Sequence, residues 1–377
     1  MKTPEISKFK LFLPGIHQPT IKNLCMITLA LIQCRSTNVN TLKDALPRFL
    51  NNKAVQASSN YKRLLRFFNH PRAAFLIECL LQMCYRIIGP GRIRMLTLDR
   101  TNWKFGTKNI NLLVLCYVYK GLSIPLRWCQ LDKQGSSTQA ERQVLLDKAI
   151  EAATLSSALL LADREFIGEH WIKYLMEARI KFMIRLPKSA YHEHVNQTGT
   201  QRHRMLFYKA KSKRGLAYSP ITIQGHRLYY IILKSRDVQA EEPLLYFLTN
   251  QRTRVHRKRL EKYRQRWTIE CLFKHLKTNG FNLEHLHFKR NLKIELMMAL
   301  VVLAYCLSIH QALEQTEPEK IKLKRYKNQK AEFKEQSVFR LGLSLLLQLA
   351  TSLEAFCQLV LCILIFDNVI PKSKTVQ

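Results

Sequence analysis

Between Ile93 and Leu186 apolar runs of strand length alternate with helical segments, and few folds accept the order in which they come. Pro90-Gly91 closes the region before it. Ile93 to Leu98 reads as a strand that ends at Asp99. Leu112 to Tyr119 and Leu122 to Leu131 read as two more, joined by the short turn Lys120-Gly121. A helix is expected over Ala140 to Ala153, then a short buried strand, Leu159 to Ala162, ending at Asp163. A helix from about Gly168 to Ala178 and a strand over Lys181 to Leu186 follow. This pattern predicts an α/β fold in which three strands form an antiparallel meander and crossover helices add the later ones.

That order is the order of a ribonuclease-H-like mixed sheet. The flanks differ in texture. Residues 1–90 read as helical, with an apolar run from Ile21 to Ile32. Thr41 is a candidate N-cap for a helix through Leu50, and Ser58 or Ser59 for one through Phe68. In the last of these Leu64, Leu65 and Phe68 can face a core, leaving Lys62, Arg63 and Arg66 toward solvent. A DNA-gripping helix-turn-helix-like element and an ordinary amphipathic helix both fit, and the basic balance of the chain favours DNA. Residues 188–250 read as strand-rich, an inserted β subdomain with strands over Arg204 to Ala210, Ile221 to Gln224, Leu228 to Lys234 and Leu244 to Thr249. Helix returns from about Arg254 through Lys277, with Gly280 as a stop signal. Ile294 to Leu313 is apolar and helical, and Glu314 to Lys334 is a charged linker or arm. Leu341 to Phe366 is membrane-like in composition, but Gln348, Glu354 and Gln358 recur within it, and helical periodicity explains it as buried helices. The expected division is a helical DNA-binding domain (1–90), a first part of the catalytic core (91–187), a β-rich insertion (188–250), a second part of the core (251–312) and a C-terminal helical region (313–377).

Sixty-one Lys and Arg oppose twenty-seven Asp and Glu, a formal net charge of +34. A surface that basic repels itself unless a polyanion lies on it, so nucleic acid is the natural partner. Hydrophobic residues make up 47%, enough for a packed core, which argues against a passive basic polypeptide. Ten cysteines without a CxxC pair point to reduced thiols rather than a disulfide framework or a zinc site. The first residues contain no long apolar segment, and a cytoplasmic, nucleoid-associated location without a membrane partner is expected.

Asp99 and Asp163 each follow an apolar strand immediately. If those strands are neighbours the carboxylates converge, and two close carboxylates repel unless a cation bridges them. Oxygen ligands of this kind suit Mg²⁺, with Mn²⁺ as its substitute. Either aspartate alone could equally cap a turn. A third element runs from Tyr263 to Lys277. Tyr263, Arg266, Glu270 and Lys277 fall at i, i+3, i+7 and i+14, one face of a helix, beside apolar Trp267, Ile269, Leu272, Phe273 and Leu276. Glu270 could complete a metal cage while Arg266 and Lys277 hold phosphates; a plain i,i+4 ion pair of Arg266 with Glu270 is the competing explanation.

Tyr-x2-Arg-x3-Glu-x6-Lys resembles the signature of the IS4-family DDE transposases of insertion sequences. Asp99-Arg100-Thr101-Asn102-Trp103 and Ala162-Asp163-Arg164-Glu165-Phe166 are similar to that family's two catalytic-aspartate motifs. Phe247-Leu248-Thr249-Asn250 and Ser337-Val338-Phe339-Arg340-Leu341-Gly342-Leu343 agree as well, so the resemblance covers most of the chain from about residue 90. It implies cut-and-paste transposition through a homodimeric synaptic complex on the terminal inverted repeats, with double-stranded target DNA as the second partner. Asp99, Asp163 and Glu270 would be the catalytic residues and the ligands of two divalent ions. Tyr263, Arg266 and Lys277 would contact DNA phosphates. The alternative from another class is a catalytically inactive DNA-binding remnant. Two departures stand out. Glu165 occupies a place often held by glycine. A tryptophan that holds a flipped base in some relatives has no counterpart, its place falling near Leu245 and Tyr246.

Overall fold

The computed structural model describes residues 4–50, 57–155, 158–198, 201–211, 216–223, 225–235, 243–252, 261–325 and 332–366. They form two compact units. One combines Met1–Gly91, Asn102–Ile110 and Leu272–Gln377; the other combines Arg92–Thr101 with Asn111–Cys271.

The second unit is built on a mixed sheet. The strands of this sheet are β1 (Met95–Phe105) and β2 (Lys108–Tyr119), whose shared tip Asn102–Ile110 falls in the first unit, then β3 (Leu122–Gln130), β4 (Leu159–Ala162), β5 (Lys181–Leu186), β6 (Leu216–Ile223), β7 (His226–Lys234) and β8 (Leu244–Thr249). They lie in the order β3-β2-β1-β4-β5-β8-β7-β6. β1, β4 and β5 are parallel neighbours, whereas β8, β7 and β6 add antiparallel. The first three strands lie side by side as the expected meander, and β4 and β5 add beside β1, which makes the strands before Asp99 and Asp163 neighbours. β4 is Leu-Leu-Leu-Ala without a polar residue because a parallel strand between two others is covered on both faces. The helix before it, Gln139–Ala152, opens on a capping box in which Thr138 and Glu141 satisfy each other's backbone N–H groups.

Three expectations about this unit need correction. β1 does not stop at Asp99 but continues to Phe105, because its outer edge goes on pairing in the hairpin with β2 after β4 has ended. Arg204 to Ala210 is not a strand; it lies in the helix Gln201–Lys211, and a second helix spans Lys188–Thr198. The run Met205-Leu206-Phe207-Tyr208 looks strand-like, yet Leu206 and Ala210, four apart, are the residues that turn inward. The inserted strands do not form a sheet of their own: β8 pairs with β5, as in Ile184↔Leu248, and carries β7 and β6 with it.

The other unit is helical. Its core is the helix Asn291–Gln315, buried along almost its whole length and packed on Ala73–Ile88, Gln18–Cys34 and Val338–Leu349. It is long and apolar enough to cross a membrane, and 83% of its most apolar window is buried inside the fold. The apolar C-terminal stretch is two helices, Val338–Leu349 and Leu353–Phe366. Asn38, not Thr41, caps the helix Val39–Ala45, accepting from the Asn40 N–H at 2.9 Å. In the helix Ala57–Phe68 the buried apolar residues are Leu64, Phe67 and Phe68; Leu65 is half-buried, because the inward arc sits one residue further on. Lys62 and Arg66 are exposed as expected, and Arg63 is half-buried beside Asn23. Leu323–Arg325 and Glu332–Lys334 pair as a two-stranded ladder within the charged arm. None of the ten cysteines is joined in a disulfide.

Candidate active site

The sheet brings Asp99 and Asp163 to one level. The last parallel pair of β1 with β4 is Leu98↔Ala162, and each aspartate is the next residue in its chain. Asp99 therefore marks the place where its neighbour ends, and the two carboxylates share the C-terminal edge of β4, where open α/β sheets gather ligands. Burial pushes the Asp99 carboxyl up to about 6. The Arg100 N–H and the Arg266 guanidinium work against that shift, and Glu165 and Asp163 reinforce it. The Arg100 N–H donates to Asp99 Oδ1 at 2.8 Å. Asp163 Oδ1 is buried without a hydrogen-bond partner.

The third element arrives on the signature segment. Residues 253–260, the expected start of its helix, lie outside the described residues. The helix is not uniform: Arg264–Arg266 is a 3₁₀ turn and Trp267–Leu276 is α-helical, a common way to tighten a first turn. A chain of hydroxyls ties it to the sheet. Thr97 lies 3.2 Å from Ser123, Ser123 lies 2.6 Å from Thr268, and Thr268 donates to the Gln265 carbonyl at 2.6 Å. Thr97 is two residues before Asp99 and Thr268 two before Glu270, so this chain fixes the Glu270 turn against β1.

Arg266 then joins the carboxylates. Its Nη1 lies 3.5 Å from Asp99 Oδ2 and its Nη2 donates to Glu270 Oε1 at 2.5 Å. The i,i+4 pair is present, but with side chains only 12% and 29% exposed it is no surface decoration. Tyr263 lies inward as well. Its hydroxyl donates to the Ala162 carbonyl at 3.2 Å and its ring meets Phe247 at 4.7 Å. Burial raises its phenol, and Asp163 adds to the rise. Lys277 belongs to the helical unit. There Nζ donates to the Asn102 carbonyl and meets Glu284 Oε1, both at 2.9 Å, and sits 5.7 Å from the Trp103 ring centre.

These donors fit a hard divalent cation in part. Two carboxylates at one strand edge, one with an unpartnered buried oxygen, are suitable ligands. Glu270 reaches Asp99 through the Arg266 guanidinium instead, and among the described residues no three His, Cys, Asp or Glu side chains group closely enough to hold a metal ion. A family model described as a transposase DDE domain matches residues 90–307, more than half of the chain. The chain belongs to the transposase DDE domain family. The matched span of this DDE domain contains all three acidic residues and the whole signature. The cryo-EM structure of a piggyBac transposase synaptic complex with hairpin DNA is similar over 98% of this chain and 78% of that chain, at 12% identity and a TM-score of 0.46. No curated protein matches.

Sequence reasoning gave no role to Arg100 or Arg142. Arg100 grips Glu165 with two bonds, 2.6 and 2.7 Å, and Arg142 donates to the Glu165 carbonyl at 3.0 Å. Arg100 directly follows Asp99, and that position was the available signal. Tyr246 is buried against Tyr191 at 5.0 Å, so it is a strand core residue in this fold and not a platform for a base. His194 shares a hydrogen bond with the Tyr230 hydroxyl at 2.6 Å.

Proposed function

We propose that this DDE transposase is an IS4-type insertion-sequence enzyme that cleaves and rejoins DNA by cut-and-paste transposition, using Mg²⁺. The observation that carries the reading is the meeting of Asp99 and Asp163 at the end of one parallel strand pair, with Glu270 held on the Asp99 side by a single arginine. In this reading Asp99 and Asp163 would hold a divalent ion at the strand edge, and Glu270 would complete the site for two ions once Arg266 has turned to a DNA phosphate. Bound there, the ions supply activation of an attacking hydroxyl and neutralise the leaving oxygen. Arg266 and Lys277 neutralise phosphate oxygens, and Arg266 has the fork for it. Tyr263 holds the Ala162 carbonyl and so steadies Asp163. Lys62, Arg63 and Arg66 track the backbone of the terminal repeats. The acting form is a homodimer on two DNA ends, in the cytoplasm at the nucleoid, and residues 1–90 form its DNA-binding domain.

A second reading, an inactive DNA-binding remnant, is favoured by the tie of Glu270 to Arg266 in place of a three-carboxylate group. One experiment separates the two. The full chain is incubated with DNA carrying the element's own ends, in Mg²⁺, Mn²⁺ or Ca²⁺. Nicking is expected with Mg²⁺ and Mn²⁺ and not with Ca²⁺, and Glu270→Ala is expected to bind the same DNA without cutting it. Absence of cutting by the wild-type chain, with binding intact, selects the remnant.

A further inference from the structure

Beyond Leu98↔Ala162 no sheet ladder joins β1 to the segment after β4. That segment turns away at once, with the Phe166 N–H donating to the Asp163 carbonyl at 3.0 Å. Something else must set the distance between the two aspartates, since a cation site loosened by about an ångström loses its ligands' convergence. Arg100 spans the gap. Its backbone N–H holds Asp99 Oδ1, and its side chain meets Glu165 fork to fork, Nε to Oε1 at 2.6 Å and Nη2 to Oε2 at 2.7 Å. Nη1 donates to Asn111 Oδ1 at 3.1 Å and to the Gly135 carbonyl at 2.6 Å, so the guanidinium is braced from behind. Asn111 braces the same loop, donating to the Lys133 and Gly135 carbonyls at 3.1 and 3.0 Å.

Glu165 is held from its other side too. Arg142, buried over the Phe166 ring, donates to the Glu165 carbonyl and, at 2.8 Å, to the carbonyl of Ser137. Both Glu165 carboxylate oxygens are thus committed to Arg100, and Glu165 is not a cation ligand in this arrangement. The pair is only 17% and 24% exposed at its side chains, where a bidentate charge-assisted contact has geometric force.

We infer that Arg100 and Glu165 are a positioning pair that sets the spacing of Asp99 and Asp163 and through it the affinity of this site for a divalent cation. The inference rests on the metal-dependent reading above. Glu165 stands where a glycine would leave the turn free; here the turn is tied to β1 by an ion pair.

The test is Mn²⁺ binding to the full chain without DNA, read from the loss of the free-ion electron paramagnetic resonance signal. Arg100→Lys keeps the charge and loses the fork; Glu165→Gln keeps the shape and loses the charge. Each is expected to weaken Mn²⁺ binding by roughly tenfold to a hundredfold, the range for groups that orient metal ligands. The double variant is expected to be no weaker than the weaker single one, because the two residues act as one unit. In nicking assays the variants should need more Mn²⁺ and approach the wild-type rate once it is supplied. Mn²⁺ affinity within twofold of wild type in folded Glu165→Gln overturns the inference, as do additive losses in the double variant. If Arg100→Lys does not fold, Glu165→Gln carries the test alone. The parent reading has its own control: an Asp99→Asn, Asp163→Asn chain that takes up Mn²⁺ like wild type removes the metal site, and the positioning role with it.

Discussion

Arg266 stands with its guanidinium between Asp99 and Glu270, where attraction to two carboxylates opposes the cost of drawing a cation largely out of water. Removing one partner of such a group leaves the others uncompensated. Arg266→Ala is therefore expected to destabilise the metal-free chain by about 3 kcal/mol. Mn²⁺ should restore more stability to this variant than to wild type, because the ion then meets carboxylates with no competing guanidinium. Thermal melts with EDTA and with Mn²⁺ check this, and equal shifts in the two proteins would refute it. Asp99 carries a second expectation. Its folded carboxyl titrates near 6, mainly through burial, against an ordinary value of 3.8, so the folded chain binds the proton more tightly than the unfolded one. Stability is then fullest below pH 4 for this group and is lost as pH rises toward 6 and beyond. Asp99→Asn, which cannot ionise, is expected to gain at most about 3 kcal/mol over wild type at pH 8 and nothing at pH 4. Urea titrations at the two pH values measure it.

At the scale of elements, glycine marks where backbones meet. A Cβ on Gly342 of the helix Val338–Leu349 would lie 1.7 Å from the Ser308 carbonyl oxygen of the core helix, and neither backbone can yield cheaply. Gly342→Ala is expected to cost about 3 kcal/mol, the upper range for overpacking, whereas Ser344→Ala on the exposed side should be nearly silent. Comparable melting temperatures for the two would mean that the helix pair is not seated at Gly342. Gly280 has a related reason for being glycine. It was read as a helix stop, but the helix ends at Leu276, and a Cβ at Gly280 would lie 2.0 Å from the His275 carbonyl oxygen. Close approach, not a left-handed turn, is what this position requires, and close approach leaves no local mark in a sequence. The strand Lys181–Leu186 was legible to the residue because apolar content, length and flanking turns agreed. The helix Gln201–Lys211 was not, because its two inward residues sit among aromatic neighbours that imitate a strand.

For the whole molecule the +34 charge is the dominant fact. If it meets DNA through six or more phosphates, affinity should fall by about a thousandfold between 50 and 200 mM salt. Filter binding across that range checks it, and a nearly flat dependence would exclude a phosphate-dominated interface. The sequence by itself determined the alternation of strand and helix, the polarity of the surface and the acidic residues that belong together in the family pattern. Those properties are local or summed: periodicity, composition and spacing along one chain. The tertiary structure decided that β6 to β8 widen the main sheet, that Arg266 lies between Asp99 and Glu270, and that Arg100 reaches Glu165 across sixty-five residues of chain. Such contacts depend on which strands become neighbours and in what register, and that is settled only when the whole apolar surface of the sheet is buried at once.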